Sequence, residues 1–343
     1  MKVAVVGASG YVGSRLVPEL LRRGHDVVAT HHRSPSTGYP WSASVEWRRV
    51  DVHDEQAVVA ALHGVDAVCY LVHGLDHPDF MQLDRQAADN VAYAAGVVGA
   101  TRLVYLSGIV PDGPAEELSD HLLSRLEVEQ ILAVADTSVL TLRASMVIGA
   151  GSTSFEVMRQ TSRRLGLVQT VPSWMGSSVI QPVSVVDAVF YLAEALERTD
   201  VVGHLDVVGP DQLSYVDLLR TYAAAARLIR VQIPVWLAPV DLVARVAGRL
   251  VDVPGPVVES LIPSLGHDMV GGRDAAEVLG EPDGGRLTAA QAIARSLVVA
   301  RAGGSGIDGA AVGGDPQGPS VGDPSWARDR SALEWLRSTL GRG

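Results

Sequence analysis

The chain has one cysteine, Cys69, in 343 residues, and it sits in an apolar run from Ala67 to Val72. A single thiol cannot close an internal disulfide, so the framework of a small secreted domain is excluded and a reducing cytoplasm is expected. Cys69 reads as a small buried hydrophobe, not a nucleophile. Positive charge is short: 28 Lys and Arg stand against 39 Asp and Glu, for a formal net charge of −11, and the basic residues are scattered. Neither the basic stripe of a nucleic-acid binder nor a polybasic membrane anchor is present. Long apolar runs are missing too. The longest uncharged stretch, Leu165 to Val186, is broken by Pro172, Pro182, Gln169 and Gln181, which does not suit a spanning helix. No charged start and apolar middle precede the first strand-like run, so no secretion signal is expected. The ten histidines are dispersed without metal-ligand spacing, so no metal is expected. No Gly-x-Ser-x-Gly elbow occurs. These absences leave an acidic cytoplasmic protein acting on a small molecule. Val231 to Val251 is apolar enough to touch a membrane surface, although a packed lobe helix accounts for it better.

What is present begins at the N-terminus. Lys2 to Val6 reads as a strand, and Gly7-Ala8-Ser9-Gly10-Tyr11-Val12-Gly13 follows it at once. Gly7 allows the sharp turn, and Gly10 lets backbone N–H groups reach a pyrophosphate, with Ser9, Tyr11 and Val12 beside it. Gly13 lets a helix from about Tyr11 to Arg23 lie close to the sheet, its positive dipole end facing the phosphates. The strand, turn and helix come in the order that dinucleotide binding needs. After the second strand the chain reads Thr30-His31-His32-Arg33, with no carboxylate to repel a 2'-phosphate and an arginine able to grip one. NADP(H) is therefore favoured, with NAD(H) left open. Asp51 and Val52, after the third strand, would lie near the adenine, although helix capping suits Asp51 equally well.

Strand-like runs alternate with helical stretches through the first 210 or so residues, the pattern of an α/β Rossmann-type doubly wound parallel sheet. The expected strands are Lys2 to Val6, Asp26 to Thr30, Val45 to Val50, Ala67 to Val72, Arg102 to Ser107, Ser138 to Arg143 and His204 to Val208. Residues 1–213 form the nucleotide domain in this reading, and 214–302 a smaller, mainly helical C-terminal lobe. Residues 303–325, rich in Gly, Pro and Asp, read as a flexible linker, and 326–343 as a terminal helix.

The Gly-x-x-Gly-x-x-Gly spacing resembles the short-chain dehydrogenase/reductase superfamily, especially its extended and atypical branches. Further segments carry the likeness: Cys69 to Gly74, Asn90, Leu103 to Gly108, Arg143 to Gly149 and Val183 to Asp187. The resemblance implies that Val72, His73, Gly74 and Asn90 face the cofactor and that Ser107 lies near the nicotinamide. Active members carry Tyr-x-x-x-Lys on the next helix. Here that place reads His121-Leu122-Leu123-Ser124-Arg125: the i, i+4 spacing survives, but both chemical groups have changed.

Neutral His121 can relay a proton, and a neighbouring guanidinium would push its pKa down. Arg125 can clasp ribose hydroxyls but cannot donate a proton. The plain alternative pairs Arg125 with Glu129 on an exposed helix face. The set is similar to an atypical subgroup that keeps the glycine loop without the usual active-site residues. Some relatives continue after an Asp-Pro-x-Trp-Ala segment into a second domain. Asp323 to Ala327 matches that segment, and the chain ends soon after it, so no function of that domain is expected.

Ser152, Ser154, Phe155, Trp174 and Gln181 are the candidate substrate contacts, with core packing an equal reading for Phe155 and Trp174. The expectation is an NAD(P)H-dependent oxidoreductase passing hydride to a small carbonyl, enone or quinone. Ser107 would orient the oxygen, and His121 would move the proton. The rival is a non-catalytic redox sensor of the NmrA-like type. The missing Tyr-x-x-x-Lys argues against an epimerase or dehydratase. The substrate and the oligomeric state, with a homodimer among the options, stay open.

Overall fold

The computed structural model describes residues 1–32, 38–74, 77–111, 113–114, 116, 118–236, 238–302 and 315–327. Short, mostly apolar runs build a central sheet from β1 (Lys2–Val6), β2 (Asp26–His31), β3 (Glu46–Arg49), β4 (Ala67–Tyr70), β5 (Arg102–Gly108) and β6 (Ser138–Ala144), completed by the strand Gly203–Val207. All seven run parallel, ordered Gly203–Val207, β6, β5, β4, β1, β2, β3. The chain starts in the middle and winds outward in both directions. This creates a switch point beside β1, where such sheets open their binding crevice.

Both faces of the sheet are buried, as parallel strands with helical crossovers require. Val3 and Val5 point to one face, which is covered by α1 (Gly13–Arg22) and α6 (Val185–Glu197). Ala4 and Val6 point to the other, which is covered by α2 (Glu55–Leu62), α3 (Phe80–Val97) and α4 (Asp120–Ala133). All seven expected strands are present, with ends shifted by a residue or two. The first helix begins at Gly13 instead of Tyr11, because residues 7–12 are used in the turn.

Beyond the sheet lies a smaller, mainly helical region: α5 (Thr153–Arg164), α7 (Tyr215–Ala225), α8 (Val240–Leu250), α9 (Gly255–Leu261), α10 (Ala275–Leu279) and α11 (Ala289–Ala302). A two-stranded piece, Val168–Pro172 beside Val231–Val235, closes one side. α10 returns to cover the sheet with α6, so the sheet's core draws on residues past 213. No described helix is long and apolar enough to cross a membrane.

The expected flexible stretch 303–325 is only partly described, and its described part is anchored. Arg15, on the helix of the glycine loop, makes a bidentate pair with Asp323 at 2.8 and 2.9 Å. It also donates to the carbonyls of Pro316, Gly318, Ala150 and Tyr11. Gln317 is fully buried, and its amide donates to Ile148 O and Ser296 Oγ. Composition alone suggested nothing to bury here, yet polar groups fasten it. The remaining linker residues and the helix expected over 326–343 fall outside the described residues, apart from a short turn at Ser325–Ala327.

Candidate functional site

The glycine loop is closed by sterics that the three glycines alone permit. Gly7 has φ of +101°, and a methyl group on Gly13 would overlap the Gly7 carbonyl oxygen. Gly10 N–H donates to that same oxygen at 3.0 Å. Thr30, at the end of β2, braces the turn: its hydroxyl accepts from Gly7 N–H and donates to Val5 O, both at 3.3 Å. Ser9 and Gly10 are exposed at the rim, with Val12 half-buried behind them. The Tyr11 ring is turned away under the Arg15 guanidinium, 4.0 Å from the ring centre, with its hydroxyl against Gly149. Its side chain is committed to packing, which leaves the backbone for a ligand.

On the adenosine side, Arg33 lies outside the described residues. Asp51 is exposed and accepts from His53 N–H at 3.1 Å, while Asp54 caps α2 through Ala57 N–H. Asn90 donates its amide to Val52 O at 2.9 Å. It thus braces the loop holding Asp51 and Val52. A stack of Tyr39, Trp41 and Trp47, with ring centres 4.5 and 5.5 Å apart, packs against α1 beside the glycine loop. The Tyr39 hydroxyl donates to Ser9 O at 2.8 Å, and burial pushes its pKa up to about 12. This stack was not legible beforehand, because Tyr39 and Trp41 precede β3 in a segment without strand or helix periodicity.

At the far end, three elements converge. Gly74, after β4, donates its N–H to Asp84 Oδ1 at 2.8 Å, and Asp84 Oδ2 accepts from Ser124 of α4 at 3.0 Å. Burial raises the Asp84 pKa against the opposing pull of Arg125 and these two hydrogen bonds. Arg125 is buried, and its Nη1 donates to the Tyr105 hydroxyl at 3.2 Å. The pairing of Arg125 with Glu129 is not made: Glu129 is held by Arg143 at 2.8 and 2.9 Å. Ser107 is 5% exposed, and its hydroxyl has no partner. His121, on the first turn of α4, is half-buried. Burial, and then the charge of Arg125, bring its pKa down to about 3. His73 is exposed to the crevice yet closely surrounded, and desolvation, Arg125 and His121 together push its pKa well down. Both imidazoles are therefore neutral at neutral pH. The chain's one lysine, Lys2, opens β1 and pairs with Glu46, so no lysine stands near this end.

The expected substrate contacts are dispersed among other duties. Ser152 donates to Val147 O at 2.7 Å. Phe155 is 1% exposed and packs edge-on against Tyr222. Trp174 donates to Ala238 O. Gln181 is satisfied at both ends, by Gly209 O and Gly271 N–H. Of the five, only Ser154 lines the apolar cavity of the smaller region. Which of these residues the local backbone claims depends on the folded neighbours and is not visible in local sequence. Sequence reading also missed Asp84, Tyr105 and Arg15, since a polar residue on a helix or strand looks exposed until its neighbours are known.

Residues 7–164 match a family model described as NAD(P)H-binding. An uncharacterized protein of Mycobacterium tuberculosis is 28% identical over 216 residues, which cover 63% of this chain and 22% of that relative. The chain thus matches less than a quarter of that relative's length. A 2-alkyl-3-oxoalkanoate reductase of Stenotrophomonas maltophilia is 30% identical over 178 residues, 44% of this chain and 52% of the relative. Among solved structures, a UDP-N-acetylglucosamine 4-epimerase from Bacillus cereus superposes with a TM-score of 0.65 at 16% identity, covering 91% of this chain and 99% of that one. The fold shared with that structure is a Rossmann-type parallel sheet with a helical C-terminal region, and residues 7–164 carry the likeness to NAD(P)H-binding domains.

Proposed function

We propose that this protein is an NADP(H)-dependent oxidoreductase acting on a small carbonyl, enone or quinone group. The observation that carries the reading is Ser107: a hydroxyl buried without a partner at the carboxyl end of β5, where this fold opens its crevice. A buried polar group left unpaired costs about 1–3 kcal/mol, which a substrate oxygen accepting from Ser107 would recover. The glycine loop fits a pyrophosphate, since its close packing leaves space only for backbone donors. When bound, the nicotinamide supplies or takes up the hydride. Arg125 then faces ribose or substrate oxygens as a fixed cation, held by Tyr105 and balanced by Asp84. His121 is neutral and orients a water that delivers the proton, because with a pKa of about 3 it is not itself a reservoir of acid. That favours acceptors whose reduced form needs little acid help, quinones above all. NADP(H) over NAD(H) follows from the absence of a carboxylate after β2.

Oxidation of NADPH by a quinone or enone, followed at 340 nm, tests this reading. His121→Ala should lower turnover while leaving nucleotide affinity in place. The low His121 pKa also favours a second reading, a sensor that binds the nucleotide without turnover. Tight NADPH binding with no oxidation by any acceptor would select it.

A further inference from the structure

Between α5, α7, α8 and α9 the smaller region holds a partly open cavity of about 330 Å³. Its wall is almost entirely hydrocarbon and thioether, with Met158, Leu218, Val258 and Ile262 among its most buried members. Protein interiors are packed like crystals, so a void this size is either a defect or a site, and ligand sites begin at about 300 Å³. Water gains little there, because a buried water needs two to four polar partners. Gln169 Oε1 and Ser162 Oγ are the buried wall atoms without one. A sugar would leave most of its hydroxyls unpaired. An alkyl chain would not.

Position ties the cavity to the candidate reaction site. Ile262 and Leu265 form part of its wall, and Ser264, on the same turn, meets the Ser119 hydroxyl at 3.1 Å. Ser119 caps α4, two residues before His121. At the opposite side, Leu242 and Val246 of α8 line the cavity while remaining 50% and 45% exposed, so the wall reaches the surface there.

We propose that this cavity holds the alkyl or acyl chain of an amphiphilic substrate whose reducible head lies at Ser107 and His121. The placement of the head rests on the reductase reading; the placement of the chain does not. Both are tested on the purified protein. Saturated fatty acids of increasing length are made to displace a fluorescent dansyl fatty acid, and NADPH oxidation is then measured with quinones or enones carrying alkyl tails of matched lengths. Affinity should rise about fourfold per methylene until the cavity is full and then level off. Val157→Trp on α5 and Leu219→Trp on α7 each fill the cavity from a different wall. Each should weaken the longest bound chain at least tenfold while NADPH affinity and the unfolding midpoint stay close to those of the parent. Absence of fatty-acid binding, or affinity that ignores chain length, overturns the inference whether or not either variant folds. So does length-dependent binding that both folded variants leave unchanged. Chain binding without oxidation of any tailed acceptor would overturn the reductase reading alone. Oxidation indifferent to tail length would overturn the chain site alone.

Discussion

The two halves of the molecule handle apolar surface in opposite ways. Around the sheet, both faces are sealed, and large residues such as Leu16, Leu103 and Tyr105 are at most 1% exposed. In the smaller region Val168, Ile229, Val231, Ile233 and Trp236 stay at the surface, and a hollow remains inside. The difference follows from what each half must recognise. A nucleotide is gripped by backbone groups and a few polar side chains, so its half depends on exact closure of a turn, and a rigid core supplies that. An apolar group is recognised by volume, and a region that binds by volume must forgo filling its own core.

The comparison breaks most sharply at Gly13. Gly13→Val forces a side chain into the Gly7 carbonyl and should weaken NADPH binding by roughly a hundredfold, measured by fluorescence titration, with fatty-acid binding unaffected. Asp323→Ala leaves the Arg15 cation buried without its partner. It should reduce stability to urea by about 3–5 kcal/mol, because both side chains are at most 6% exposed. A smaller contrast comes from truncating leucines. Leu103→Ala in β5 should cost about 2–5 kcal/mol, whereas Leu219→Ala, beside an existing cavity, should cost less than half as much in the same unfolding assay.

A further effect is one of pH. The folded pKa of His121, about 3, lies below its ordinary value near 6.5, so between those values the unfolded chain binds the extra proton. Its contribution to stability is complete above pH 6.5 and is lost as pH falls toward 3. His121→Gln should flatten that part of the stability curve, and an unchanged slope would show that the imidazole is not held neutral.

Much of the nucleotide half was legible in the residues. Gly7 and Gly13 announce the turn because only glycine satisfies the φ of the first and the close contacts of the second, and near-continuous apolar runs such as Ala67–Tyr70 announce strands buried on both faces. The direction of the His121 shift was legible too, since Arg125 lies one helical turn away. What could not be read is long-range. Arg15 finds Asp323 across 308 positions, Ser124 finds Asp84 across 40, and Arg143 takes the Glu129 that local spacing had assigned to Arg125. In the smaller region the hydrogen bonds of the candidate substrate contacts could not be read for a related reason. Ser152 and Gln181 advertise polar chemistry, but the irregular backbone around them consumes it. The cavity is made by residues such as Val157 and Leu219, which are indistinguishable in sequence from core.

The most direct measurement is titration of the purified protein with NADPH and with NADH, followed by tryptophan emission, since Trp41 packs on the helix that follows the glycine loop. The account predicts saturable quenching by both nucleotides, tighter for NADPH, and its loss in Gly13→Val. Absence of binding by either nucleotide to a folded protein would contradict it.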